Sequence, residues 1–268
     1  MTGVPSAGTC LLWSARLVSV GLVISCLEYI AERGVLSNAG LIDWELGRTR
    51  TRLGVTGPGA RIFNALFSYP NVLALVACRL VLAVIMLIAG PAGWIVTVPA
   101  FALAVAFCIR SPYGKDGADH MSNIVLGALA VAALVPQPGV RLAAVAFIAL
   151  QCALSYTIAG IAKLPERQWR TGDHLCGILG TECYGLRPFA QRLNRKPALA
   201  RALSVGILFW ESTFILGMLA PRPVALAYLG LGIAFHLTIA VFMGLNSFVW
   251  PFLSAYPCLF YWLEVRPW

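Results

Sequence analysis

The chain has 268 residues, of which 59% are apolar and only 12% charged, and its mean hydropathy is +0.80. Soluble domains carry about 25% charged residues, so half the usual polar cover excludes a water-soluble globule. The formal charge of +9 does not mark a nucleic-acid binder: the basic residues sit in loops between apolar spans, not in a stripe interleaved with aromatics, and membrane topology with anionic head groups accounts for them.

From the N-terminus, "MTGVPSAGTCLLWSARLVSVGLVISCLEYI" has neither a positively charged leader nor a small-x-small cleavage site, so a retained first span is expected. Eight apolar windows follow one another at about 10–31, 69–89, 91–109, 120–138, 140–163, 200–220, 223–245 and 247–263. "AGPAG", "QPG" and "PRP" are the Gly/Pro turns that fold neighbouring windows into hairpins. Gly127, Ala128, Ala130, Ala132 and Ala133 give window 120–138 a small-residue face for close helix packing in lipid. The pattern predicts an all-α polytopic integral membrane protein, multi-pass in the cell membrane. It is one transmembrane domain over 1–268, with about eight transmembrane helices, two long interfacial loops and membrane lipid as its immediate partner. The loops, 32–68 and 164–199, lie on one side together with "RSPYGKDGADH", and that side holds most of the 20 basic residues. The positive-inside rule puts it in the cytoplasm.

Four ionisable residues fall well inside windows: Glu28, Arg79, Glu211 and His236. A central acid or arginine costs about 2.5–3.5 kcal/mol on insertion scales, so these groups should be paired or face a polar cavity. An ion pair of Arg79 with Glu28 or Glu211 is one solution; a cavity used for chemistry, or a proton or solute path, is another. In "SPYGKDGADHM", Asp116 and Asp119 can cap a helix, while Asp119 and His120 match no recognised metal signature. Six of the eight cysteines lie in or beside apolar windows as small hydrophobes. Cys176 and Cys183 share a polar loop at a spacing that suits a small disulfide, and His174 adds a weaker hint of metal binding.

"YTIAGIAKLPERQW" ends an apolar run on Lys163. A lysine at a helix end usually snorkels its ammonium to the interface. Gly160 leaves a bare backbone face before it, Pro165 ends the helix after it, and Trp169 can seat the next segment at head-group depth. Partial desolvation disfavours the charged form of an amine and would make such a group a usable base. Anchor and base both fit the spacing.

"YTIAGIAKL" followed by Trp169 and Gly172 closely resembles the signature of the HTTM domain, the membrane domain of vitamin K-dependent γ-carboxylases and many bacterial proteins. "YGKDGADHM" is similar to a second block of that family, with His120 where glutamine is usual. A late Phe-His block is matched at Phe235, His236, Gly244, Phe248 and Pro257. The resemblance covers about residues 10–262. It implies Lys163 as the base that deprotonates a reduced quinone such as vitamin K, with His236 and Glu211 tuning the site. The carboxylases also carry a large C-terminal region, absent from these 268 residues, that helps capture the protein substrate. In size the chain is closer to bacterial maturation proteins of the sporulation-delaying-protein B type, which implies a secreted peptide substrate and a second maturation protein as partners.

Carboxylase chemistry takes place on the luminal or exterior side, which would turn Lys163 and its loop outward, against the positive-inside count. The resemblance thus implies a carboxylase-like membrane enzyme or maturation factor acting on a peptide or lipid-like substrate. A non-catalytic membrane partner or immunity protein is the alternative, and a small transporter the third, lowered by the lack of a visible inverted repeat.

Overall fold

The computed structural model describes residues 5–49, 58–111, 116–182 and 185–266. Among them the secondary structure is helical throughout: α1 (Ala7–Ala31), α2 (Trp44–Arg48), α3 (Pro58–Phe67), α4 (Val72–Ala89), α5 (Trp94–Arg110), α6 (Gly117–Leu134), α7 (Pro138–Lys163), α8 (Arg167–Thr171), α9 (Asp173–Gly180), α10 (Arg187–Asn194), α11 (Pro197–Ser212), α12 (Phe214–Leu219), α13 (Arg222–Met243) and α14 (Val249–Val265). Five of these, α1, α4, α6, α7 and α13, are long and apolar enough to cross a membrane. The other three windows also hold helix, but α5 and α14 are 17 residues each, and window 200–220 breaks at Thr213 into α11 and α12.

The local chemistry of the sequence sets the ends of these elements. Ser6 caps α1 by accepting from the Thr9 amide at 3.1 Å, and Asp116 caps α6 by accepting from Ala118 at 2.9 Å. The hairpin between α4 and α5 turns on Gly90 and Gly93, at φ 76° and 79°, a region that disfavours residues with a Cβ. A Cβ on Gly90 would also come within 2.2 Å of Leu12.

α1 packs between α4 and α14, and α7 packs against α6, α11 and α14, so the main core lies where α1, α6, α7 and α14 meet. Ala15, Leu126, Ile148, Cys152 and Cys258 are buried there. Apolar side chains such as Ile88, Phe209, Leu216 and Val241 point outward at 64–75% exposure. A surface of that kind is suited to lipid.

The two long loops are partly helical, each over its own small core. Cys26, Leu36, Val72 and Phe107 pack beneath the first. Leu179, Ala190, Leu193 and Ala200 pack beneath the second, where α10 turns Arg187 and Arg192 outward. Arg110, 1% exposed, ties the first loop to the bundle: its Nε donates to the Phe67 carbonyl and its Nη2 to the Leu36 carbonyl, each at 3.0 Å. Glu28 accepts from Asn246 at 3.3 Å at that same end. At the opposite end Arg266 donates to the Met218 and Ala220 carbonyls at 2.6 Å each, and Arg222 pairs with Glu264.

Candidate functional site

The site at the end of α7 begins with a missing side chain. A Cβ on Gly160 would lie 2.3 Å from the Ser212 amide nitrogen and 2.7 Å from the Glu211 carbonyl carbon, so only glycine lets α7 and α11 approach this closely. Less than one turn further on, that approach brings Lys163 against Glu211. The Nζ donates to both carboxylate oxygens, at 2.8 Å and 2.6 Å. The carboxylate side is deeply buried (4% exposed), whereas the lysine side chain keeps 25% of its surface.

Trp169 covers this pair, its ring centroid 5.1 Å from Nζ. The ring is held by α8, whose Trp169 carbonyl accepts from Ser204 Oγ on α11. Gly172 then turns the chain at φ 92° directly against the Ala200 carbonyl, where a Cβ would come within 2.7 Å. Gly160, Lys163, Trp169 and Gly172 of the sequence signature thus all serve one contact between α7, α8 and α11.

Two turns earlier on α7, Tyr156 makes a second cluster. Its hydroxyl lies 2.7 Å from His236 Nε2 on α13 and 3.0 Å from the Tyr256 hydroxyl on α14. Trp210, Phe214 and Phe252 ring it at centroid distances of 5.0, 4.4 and 5.3 Å. His236 is 2% exposed and stacks on Phe252, and its Nδ1 is buried without a hydrogen-bond partner. The cluster ties α7, α13 and α14 together in the buried core and leaves His236 Nδ1 without a protein partner.

The remaining sequence candidates lie elsewhere. Glu28, Arg79, Asp116 and Asp119 line one cavity of about 280 Å³ with Asn246. Arg79 forms neither expected ion pair: Glu211 faces Lys163, and no carboxylate among the described residues comes within pairing distance of Arg79. Its guanidinium lies over the Phe107 ring at 5.0 Å, with Nε buried and unpartnered. Asp116 spends its carboxylate on the α6 cap; burial pushes that carboxyl up from its usual range, opposed by the amides of Asp119 and Ala118. His120 turns away from Asp119 and lines a separate apolar groove. Among the described residues no three His, Cys, Asp or Glu side chains gather as metal ligands would. His174 instead sits 5.5 Å from the Trp169 ring. Cys176 lies part-buried on α9, while Cys183 and the pairing expected for it lie outside the described residues.

Tyr156, Tyr256 and Arg110 escaped the sequence reading. Tyr156 opens the quoted signature, so its aromatic position was the available signal, but nothing local to it names His236 as a partner 80 residues away.

No family model matches the chain, and no curated protein or solved structure matches it.

Proposed function

We propose that the chain is a multi-pass protein of the cell membrane, of HTTM type with eight spans, that acts as a carboxylase-like enzyme or maturation factor on a peptide or lipid-like substrate. The observation that carries the reading is the contact of Lys163 with Glu211 beneath Trp169. A lysine whose side chain keeps a quarter of its surface open can meet a substrate proton, and a buried carboxylate against it can hold the proton that the amine must first give up. Moving a proton within that contact turns an ion pair into a neutral pair, which low dielectric favours more than water does. Lys163 is then the base, Glu211 its proton partner, Trp169 the cover over the amine, and His236 a positioning residue acting through Tyr156. By the HTTM resemblance, the proton would come from the hydroxyl of a reduced quinone. Such a group, when bound, would supply an oxidisable ring; Lys163 would hold its hydroxyl.

One observation favours a second reading. The bidentate contact also ties α7 to α11, which is all that a non-catalytic membrane partner or immunity protein would need. The experiment compares, by mass spectrometry, the secreted peptides and membrane lipids of cells with and without the gene. The enzyme reading expects at least one species that changes covalent mass, a gain of carbon dioxide being the carboxylase outcome. Profiles that differ in amount alone would leave the partner reading.

A further inference from the structure

The cavity that holds Glu28, Arg79 and Asp119 carries charges of both signs that do not touch. It lies between α1, α4, α6 and α14 and measures about 280 Å³. None of the three residues makes a salt bridge among the described residues, and Arg79 Nε is buried without a hydrogen-bond partner. Glu28 accepts from Asn246 at 3.3 Å. Asp116, a third carboxylate on the wall, is spent on the α6 cap. Ser25, Ser122 and Ser247 line the same space, and their hydroxyls bond to no other described residue.

This arrangement specifies the charge of what would fill it. Arg79 sits two turns into α4, where an unpaired arginine costs about 2.5–3.5 kcal/mol on insertion scales. An anion there would relieve it but would face Glu28 and Asp119. A simple cation would suit the carboxylates and leave Arg79 unpaired. One molecule with one anionic and two cationic centres answers all three groups, and the serine hydroxyls can accept its remaining N–H protons. Glu28 and Asp119 are exposed at the mouth, whereas Arg79 is part-buried, so the anionic centre belongs inside. The volume is at the small end of ligand pockets, which start at about 300 Å³. It suits a molecule of amino-acid size and is too small for a nucleotide or a whole lipid. A diamino acid carries a carboxylate, an α-ammonium and a side-chain ammonium within that size.

We propose that this cavity binds a free basic α-amino acid of the lysine or ornithine kind, with its carboxylate at Arg79 and its two ammonium groups at Glu28 and Asp119. The inference uses no residue of the Lys163 contact and does not rest on the chemistry assigned there.

The test loads the full chain, in mild detergent, with radiolabelled lysine and challenges it with unlabelled compounds. Ornithine should displace the label about as well as lysine does. Norleucine lacks the side-chain ammonium, cadaverine the carboxylate and Nα-acetyl-lysine the α-ammonium. Each should be weaker by about tenfold, the worth of one charge-assisted contact. Arg79→Gln should weaken lysine by about the same factor and leave cadaverine unchanged, which also shows that the variant is folded. The pair Glu28→Gln with Asp119→Asn should weaken both. Displacement by Nα-acetyl-lysine equal to that by lysine would point to the C-terminal lysine of a peptide and overturn the free amino acid. Absence of saturable lysine binding, equal displacement by norleucine, or a lysine affinity untouched by Arg79→Gln would overturn the proposal as well.

Discussion

Replacing Gly160 by alanine tests how the Lys163 site is built. The added methyl would stand 2.3 Å from the Ser212 amide nitrogen, against 3.4 Å for ordinary contact, and the obstacle is backbone, which cannot rotate aside. α7 and α11 must therefore part by roughly 1 Å, and overpacking of this kind costs about 1–3 kcal/mol. In a chain of this size, at about 2–4 °C per kcal/mol, that corresponds to a fall of roughly 2–12 °C in melting temperature. The same separation stretches the 2.6 Å and 2.8 Å bonds from Lys163 to Glu211. Gly206 on the same α11 has open space where its Cβ would be. Gly206→Ala should therefore stabilise by about 0.5–1 kcal/mol through helix propensity alone. The assay is intrinsic-fluorescence melting of both variants in one detergent. Equal melting temperatures for the two would refute the close-approach account of Gly160.

Tyr156→Phe removes the hydroxyl shared by His236 and Tyr256 and should destabilise by about 1–3 kcal/mol; if the melting temperature does not move, the buried cluster carries no stability. Arg110→Lys cannot span the Leu36 and Phe67 carbonyls with one ammonium and should loosen the first loop, read as faster proteolysis between α1 and α4 with the rest of the bundle intact; an unchanged cleavage pattern would show that the clamp is dispensable. Cys176 should react, after reduction, with a membrane-impermeant thiol reagent in intact cells if its loop faces outward as the HTTM resemblance implies; labelling confined to broken cells places the loop in the cytoplasm, as the positive-inside count has it.

Much of the helix pattern was legible because apolar length and Gly/Pro turns are local signals. The residues 90–93 hairpin and the Asp116 cap can be read from a few neighbouring letters, and the structure has them. The break at Thr213 falls on the polar run Glu211-Ser212-Thr213, but such a run inside an apolar window is compatible with a continuous helix and does not by itself mark an interruption. The same limit governs the site. Lys163, Glu211 and His236 stood out as charged or ionisable groups in apolar windows, but pairing depends on which helices touch. Charge counting offered Arg79 as the partner of Glu211. Gly160 decides otherwise, by letting α11 approach α7 until only Lys163 can reach. The loop helices α3 and α10 were hidden because they are short and amphipathic, and bury little until they meet the bundle.

The central claim is that Lys163 works as a base and is more than a tie between helices. Lys163→Arg separates the two, because arginine keeps the long stem, the charge and the bidentate contact with Glu211, yet its guanidinium does not give up a proton at accessible pH. The measurement is the yield of the mass-shifted product in cells, normalised to the amount of protein in the membrane. Loss of a positioned general base removes about 10² to 10⁴ of the rate, so the account predicts that Lys163→Arg makes no detectable product at wild-type abundance and wild-type melting temperature. Wild-type yield from Lys163→Arg would contradict it and leave the ion pair as a structural tie.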